Sequence, residues 1–589
     1  MLTCEFPERD IRFILTEVLD ARRVLSLPAY AEVDEDTVFA AAEAFGAFAH
    51  DVLLPLNSVG DRHGCRVENG SVRIAPGFAE AYTAFCEGGW NGLACDPAWG
   101  GQGLPHFLHA VISETMAGAN LAFGLLHDLN FGVYKALRAH GADALKDRYL
   151  SRIVDGSWTG TMCLTEPHCG TDLGLVRTRA VPAVDGSWRI TGTKIFITWG
   201  DHDATENVLH LVLARTPGAP AGVRGISLFL VPKFLPDADG RPTVRNGAAP
   251  VGVEEKMGIH GSPTCTMAFE EATGWLVGEE TRGLAHMFTM MNAARLSVGL
   301  QGLGIAEVAL QTAISYAVER RQGRAPEGPR DADAAADPLI VHPDVRRRLY
   351  EMRALTEGGR ALAYEVGLLL DESQHQPAAE ARAAAEERLA VLTPILKSTL
   401  SDIGFKVANE AIQIHGGHGY VREQGVEQLA RDVRIAAIYE GTNAIQARDL
   451  VGRKLTLAGK TVDALIAEAA DEAERLGGDP VLKQYGDCLG AATEGLRRIT
   501  SWIRASGQES EAVLAGACDY LDLFALVLMG RLWGRQARVA ATRPEDSFCR
   551  AKLATASVFF GRILPRAASL ETGAMAGSAP PIIAVGSSA

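Results

Sequence analysis

The chain has 589 residues, too many for a single hydrophobic core, so roughly three to five domains are expected. Hydrophobic residues make up 47% and charged residues 22%, the composition of an ordinary soluble globular protein. A net charge of -15 argues against nucleic acid and anionic membrane as main partners, but leaves room for an anionic small ligand at a local basic site.

The first residues lack a basic start leading into an apolar core, so no secretory signal is expected. Residues 1–35 read as a helical arm. Asp10 is expected to cap a helix whose apolar residues Ile11, Ile14, Leu15, Val18 and Leu19 fall at helical spacing. Residues 36–156 read as an N-terminal helical domain, with Ala- and Leu-rich segments at 37–57 and 109–140 around a glycine-rich loop at 99–105. Residues 157–279 read as a central β domain, a barrel or sandwich. Its strands are predicted at 158–164, 188–198, 208–216, 225–231 and 264–269. The run 208–213 does not alternate, which predicts a strand covered on both faces.

Helices return over 280–455 as a bundle, predicted at 283–321, 345–370 and 378–409, with a Pro-, Asp- and Ala-rich loop at 322–343 expected to be mobile. Residues 456–589 predict an extra helical domain and a Gly-, Ser-, Ala- and Pro-rich tail from about 574, expected to be disordered. The fold class is therefore α+β, in the order α, β, α and extra α. The most apolar run, around 523–530, is too short to span a bilayer. Ten cysteines include no CxxC and no zinc-like Cys/His cluster, which predicts reduced thiols, no metal and a cytoplasmic setting.

Several stretches carry possible chemistry. Glu440 ends an apolar run in Tyr439-Glu440-Gly441-Thr442-Asn443. Burial there would raise its pKa towards neutrality, as a general base requires. A solvated helix end capped by Gly441 fits the same local pattern. The stretch Met162–Asp172, MCLTEPHCGTD, leaves a strand through Pro and Gly. Its N–H groups and hydroxyl suit a planar heterocycle or a phosphate, or form a plain turn. GTKIFITWG at 192–200 reads as an aromatic strand, and EKMGIHGSPT at 255–264 as an anion site or a turn. ERRQGR ends the long helix with cations that the helix dipole favours.

Taken in order, CLTEPHCGTD, KIFIT, EKMGIHGSPT, ARLSVG, ERRQ, QIHGGHGY and RDVRIAAIYEGTN resemble the acyl-CoA dehydrogenase family over roughly residues 36–455. The arm and the helical extension resemble the longer subgroup that includes 3-(methylthio)propionyl-CoA dehydrogenases. The resemblance implies an FAD-dependent enzyme oxidising an acyl-CoA to a trans-2-enoyl-CoA. Glu440 would take the α-proton, flavin N5 would accept the β-hydride, and the Gly441 N–H would stabilise enolate-like charge. It implies flavin contacts from Met162, Leu164, Thr165, Gly170, Thr171, Phe196 and Thr198, with Thr442 and Asn443 near the cofactor. Arg320, Gln322, Gln413, Gly416 and Gly417 would hold the FAD of a neighbouring subunit, which implies a homo-oligomer, at least a homodimer. Thr171, Asn292, Arg295 and Gly441 would meet acyl-CoA, and electron-transfer flavoprotein would take the electrons.

Some members place the base on the long helix just before the arginine, where Ala294 stands here and cannot act. Met162 replaces an aromatic residue, Phe196 a tryptophan and Thr171 a serine, and ERRQGR lacks the usual phenylalanine. An acyl-CoA oxidase using oxygen and a flavin-free CoA-binding scaffold are the alternatives, and the acyl chain is left open.

Overall fold

The structure is a computed structural model that describes residues 2–577 except 238 and 509; most of the tail expected to be disordered lies outside the described residues. The arm forms helix Glu8–Arg12, continued by a wide turn over Phe13–Val18. Asp10 does not cap it. Pro7 is the cap residue, and the Asp10 side chain turns inward to Arg360 and Lys552. A cap needs its acceptor at the first exposed N–H groups, whereas this carboxylate is drawn into the core by two buried cations.

The N-terminal domain starts with helix Glu35–Phe48, capped by Asp34, whose carboxylate accepts from Thr37 N at 2.8 Å. Its longest element, His106–His140, kinks at Asn120, where φ is -158°. There Asn120 Oδ1 accepts from Phe123 N at 3.1 Å, and Nδ2 donates to Leu53 O at 3.2 Å. A side chain that competes for backbone partners in this way is a sufficient cause of the bend. A small hairpin, β1 (Arg66–Glu68) with β2 (Ser71–Arg73), falls inside this domain, where only helices were predicted.

The central domain holds a seven-stranded mixed sheet of β3 (Trp158–Cys163), β4 (Arg179–Pro182), β5 (Trp188–Thr198), β6 (Asn207–Arg215), β7 (Ile226–Pro232), β10 (Ala248–Val253) and β11 (Thr264–Leu276). The strands β8 (Phe234–Pro236) and β9 (Pro242–Arg245) form a separate hairpin. β6 pairs in parallel with β3 and antiparallel with β7, and all its residues but Arg215 are buried, as its unbroken apolar run predicts. The sequence reading missed β4 and β8 to β10 because they are short and Pro- or Gly-bearing, and it ended β11 early.

The bundle is built on helix Gly283–Glu319, which packs against His106–His140, Pro343–His375 and Ala379–His415. A Cβ at Gly302 would lie 2.1 Å from Leu400 O, and one at Gly304 would lie 2.2 Å from Glu114 O, so glycine alone allows these helices to approach so closely. The loop after this helix folds around Asp337, which is fully buried and accepts from Ala325 N, Arg330 N and Asp331 N; it is an organised loop where mobility was expected. Among the described residues two helices reach membrane-spanning length and hydropathy, Glu35–His63 and Gly283–Glu319, neither at the run singled out from the sequence. The apolar window of Gly283–Glu319 is 83% buried as the bundle's core.

The extra domain, with helices Gly459–Gly477, Lys483–Ser506 and Ala517–Ala541, shares one continuous apolar core with the bundle and the arm. Trp533 is fully buried, and its indole N–H donates to Ala354 O at 3.0 Å. An ionic cluster joins the same elements. Arg360 reaches Asp10 at 2.5 Å, Glu114 at 2.6 Å and Glu307 at 2.6 Å. Lys552 reaches Asp10, Glu357 at 2.9 Å and Gln536 at 3.1 Å.

Removing one partner of such a cluster leaves buried charge uncompensated. Arg360→Met is expected to cost about 3–5 kcal/mol, read as a lowered urea midpoint of the full chain. An unchanged midpoint would refute a central role for this guanidinium.

Candidate functional site

Glu440 lies after the 3-10 turn Arg434–Ala437 and before helix Asn443–Asp449, so it is not the end of a helix. Its φ is +55°, and that of Gly441 is +86°. A left-handed non-glycine residue costs about 1–2 kcal/mol, so the step must be held from outside. Gln446 Nε2 donates to the carbonyls of Glu440 and Gly441, each at 3.1 Å. Lys397 Nζ donates to Gly441 O at 2.9 Å and to Asn443 Oδ1 at 3.0 Å. Arg295 Nε lies 3.4 Å from Glu440 O, and Thr442 caps the following helix.

The Glu440 carboxylate itself has no hydrogen bond or ion pair among the described residues. Burial pushes it up to about 7, against the pull of Arg295 and Lys397. The Gly441 N–H also lacks an acceptor among the described residues, and it sits one residue from that carboxylate. Asn292 stands one helical turn before Arg295, its Oδ1 3.5 Å from Arg295 Nη1. Tyr439 donates to Gln301 Oε1, and Gln301 Nε2 donates to Asp128 Oδ2 at 2.7 Å. Burial pushes Asp128 up to about 6, and its Oδ1 has no partner.

A second group gathers where β3 ends. Ile195 N donates to Thr165 O at 2.9 Å, which sets the KIFIT strand beside the turn that begins at Leu164. Glu166 is fixed inside this turn. It accepts from Arg177 N, from Thr178 N and Oγ1, and from Lys194 Nζ at 2.9 Å. Burial would raise this carboxyl, but Lys194 and those donors outweigh it and hold it below its usual range. Glu166, His168 and Cys169 could each offer a metal ligand, but the Glu166 oxygens are already occupied.

Above this fixed turn, Phe196 is 60% exposed at a φ of +60°. The hydroxyls of Thr165, Thr171 and Thr198 make no hydrogen bond among the described residues. Met162 and Leu164 are half-buried beside them, and Gly170 and Thr171 are exposed on the turn. An exposed aromatic ring on strained backbone, flanked by unpartnered hydroxyls, fits a planar, hydrogen-bonding heterocycle.

A third group is separate. The Tyr316 hydroxyl on the long helix hydrogen-bonds with His418 Nδ1 at 2.8 Å and its ring stacks on His415 at 4.1 Å, joining the ends of helices Gly283–Glu319 and Ala379–His415. Arg320, Gln322 and Gln413 are exposed there, with no side-chain partner among the described residues. A Cβ on Gly416 or Gly417 would meet nothing within 4 Å. No hydrogen bond, ion pair or ring contact within the described residues links this group to Glu440 or Phe196.

The turn at 255–264 serves as a domain contact. Ile259 N donates to Asp432 Oδ1 at 2.5 Å, and Arg431 pairs with Asp61 at 2.8 Å. Lys397, Gln446, Gln301 and Asp128 were not foreseen. Lys397 did leave a signal, as a lone cation in the small and apolar run 391–401 with no acid three or four residues away.

Four family models match in succession. They are the acyl-CoA dehydrogenase N-terminal domain at 41–157, middle domain at 161–272 and C-terminal domain at 281–456, and an acetyl-CoA dehydrogenase C-terminal-like domain at 459–582. The chain is 43% identical over 570 residues to the 3-methylmercaptopropionyl-CoA dehydrogenase of Ruegeria pomeroyi, covering 96% of each. It is 34% identical to a broad-specificity linear acyl-CoA dehydrogenase of Mycobacterium tuberculosis, over 95% of each. An acyl-CoA dehydrogenase from Bacillus anthracis, solved with FAD, shares the fold at a TM-score of 0.76 and 22% identity, covering 97% of this chain and 92% of that one.

The site makes a direct prediction. A Cβ at Gly441 would lie 2.9 Å from Gln446 Nε2 on backbone that already has a positive φ. Gly441→Ala should therefore cost about 1–2 kcal/mol in thermal unfolding. Gly417→Ala, where a Cβ meets nothing, should fall within about 1 kcal/mol of wild type.

Proposed function

The chain belongs to the acyl-CoA dehydrogenase family, and from that premise we propose that it oxidises an acyl-CoA thioester to the trans-2-enoyl-CoA with Glu440 as the base. The observation that carries this reading is the unpaired Glu440 carboxyl, pushed up to about 7 beside a free Gly441 N–H. A carboxylate poised near neutrality, with no partner to break, takes a proton without first losing an ion pair. The Gly441 N–H, aimed at the thioester oxygen, would stabilise the negative charge that develops as the α-proton leaves. Arg295 and Lys397 oppose the effect of burial, so that the base still loses its proton near neutral pH.

The exposed Phe196 ring and the hydroxyls of Thr165, Thr171 and Thr198 would hold the isoalloxazine of FAD, with Met162, Leu164 and Gly170 beside it and Thr442 and Asn443 nearby. Bound FAD supplies the acceptor for the β-hydride. The unpartnered Arg320, Gln322 and Gln413, with the open Gly416 and Gly417, would reach the FAD of a second subunit in a homodimer. Asn292, Arg295 and Thr171 would meet acyl-CoA. Electron-transfer flavoprotein is the proposed acceptor, and 3-methylmercaptopropionyl-CoA, which names the Ruegeria relative's activity, is the first substrate to test.

Anaerobic mixing of the FAD-loaded protein with a panel of acyl-CoAs should bleach the flavin, at a rate that rises with pH through about 7 as Glu440 loses its proton. Glu440→Gln should slow bleaching by about 1,000-fold or more. A variant that bleaches as fast as wild type would remove Glu440 from the mechanism. Stoichiometric peroxide under air would favour an oxidase over the dehydrogenase reading.

A further inference from the structure

Lys397 belongs to none of the sequence motifs, yet it touches the segment that carries Glu440 at two points. We propose that Lys397 is a positioning residue that fixes the left-handed Glu440–Gly441 step and keeps a positive charge beside the Glu440 carboxyl.

The side chain rises from helix Ala379–His415, three residues after Pro394, and is fully buried. A buried ammonium is costly unless its three N–H groups are partnered or its charge is used. Lys397 has two partners, Gly441 O and Asn443 Oδ1, and both are neutral oxygens. No carboxylate lies within ion-pair distance of it among the described residues. Its charge is therefore not cancelled by contact; burial pulls Lys397 down to about 8 against the opposing effect of Glu440 and Asp402, which leaves it cationic at neutral pH.

The geometry is held from both sides. Asn443 Nδ2 donates to Ser398 O at 3.3 Å and to Ser401 Oγ at 3.1 Å, which leaves Oδ1 to face the ammonium. The Gly441 carbonyl is shared between Lys397 and Gln446. One cation thus ties the Gly441 carbonyl and the Asn443 side chain, on either side of Thr442, to a long helix, across a step that the chain would not adopt unaided.

The electrostatic part follows from the surrounding charges. Burial raises Glu440, and Arg295 on helix Gly283–Glu319 and Lys397 on helix Ala379–His415 pull it down. Arg295 is itself influenced by Asp449 and Arg453, which follow in the chain, and Arg453 also acts on Lys454. Asp402, one turn and a half beyond Lys397, acts on Asp522 of helix Ala517–Ala541. Among these groups Lys397 alone both acts on the Glu440 carboxyl and grips the Gly441 carbonyl. Loss of its charge would let burial push Glu440 higher, and the base would then need more alkaline solution to lose its proton. Glu440 and Lys397 titrate as a coupled pair, so the test compares whole profiles.

The inference rests on Glu440 being the base, and the test separates the two. Lys397→Met and Lys397→Gln would be loaded with FAD, and bleaching by the best acyl-CoA measured against pH beside wild type. The rising limb should move up by about one pH unit in both, with bleaching about fivefold slower at neutral pH and about tenfold slower well below the limb. Lys397→Arg, which restores the charge, should bring the limb back. Infrared difference titration of the Glu440 carboxyl, identified by the band missing in Glu440→Gln, should report the same upward shift without turnover or cofactor.

Wild-type limb and band positions in the Lys397→Met protein would overturn the inference. So would a variant that is merely less stable, with an unmoved limb. Should Lys397→Met not fold, Lys397→Gln, which can still donate to both oxygens, decides in the same way. If no acyl-CoA bleaches the wild type, the proposed reaction fails, while the infrared titration still decides on Lys397.

Discussion

Arg360 is buried where acids from separate segments converge. Asp10 comes from the arm, Glu114 from helix His106–His140 and Glu307 from helix Gly283–Glu319. Tyr364 donates to the far oxygen of Glu114 at 2.7 Å, and Lys552 brings the extra domain to the same Asp10. Such a cluster adds little net stability over a well-packed apolar core, because each ion must first give up its water. What it can supply is register, since only one relative placement of the helices satisfies every charge. The close approaches at Gly302 and Gly304 act in the same direction, as any sliding would drive backbone into backbone. Arg295, Gln301, Asp128 and Lys397 all stand on helices whose mutual placement is set in this way.

Two glutamates in this protein show how surroundings divide one residue type into two roles. Glu166 is buried with Lys194 in direct contact and three further donors, and it is held ionised well away from neutrality. It locks a turn and has nothing left to offer a ligand. Glu440 is half-buried without a single contact partner among the described residues, and its two cations act from a distance. Its proton is therefore labile near neutral pH. The difference comes from the placement of donors and cations, since both side chains end in the same carboxyl group.

The extra domain is joined to the rest through a shared apolar core. Trp533 packs so tightly over Gly358 that a Cβ there would lie 2.6 Å from its indole nitrogen. Arg531 pairs with Glu365 across the same seam, and also reaches Glu468 at 2.6 Å. The seam lies on helix Pro343–His375, the same helix that carries Arg360. Strain or loosening in the extension would therefore reach the helix that sets the bundle's register.

The sequence by itself determined the order of helical and β regions, the two-sided burial of β6 and the position of Glu440 before Gly441, because each depends on residues near one another in the chain. Periodicity and turn chemistry carry that information directly. It could not determine that Asp10 is a core ion, that the loop after 321 closes on Asp337, or that Lys397 would grip Gly441 from 44 positions away. Nor could it separate the Glu166 environment from that of Glu440, although both were visible as acids in motifs. Only the tertiary structure decided these points, because burial, the path of a hydrogen bond and the field at a carboxyl depend on which distant segments pack together.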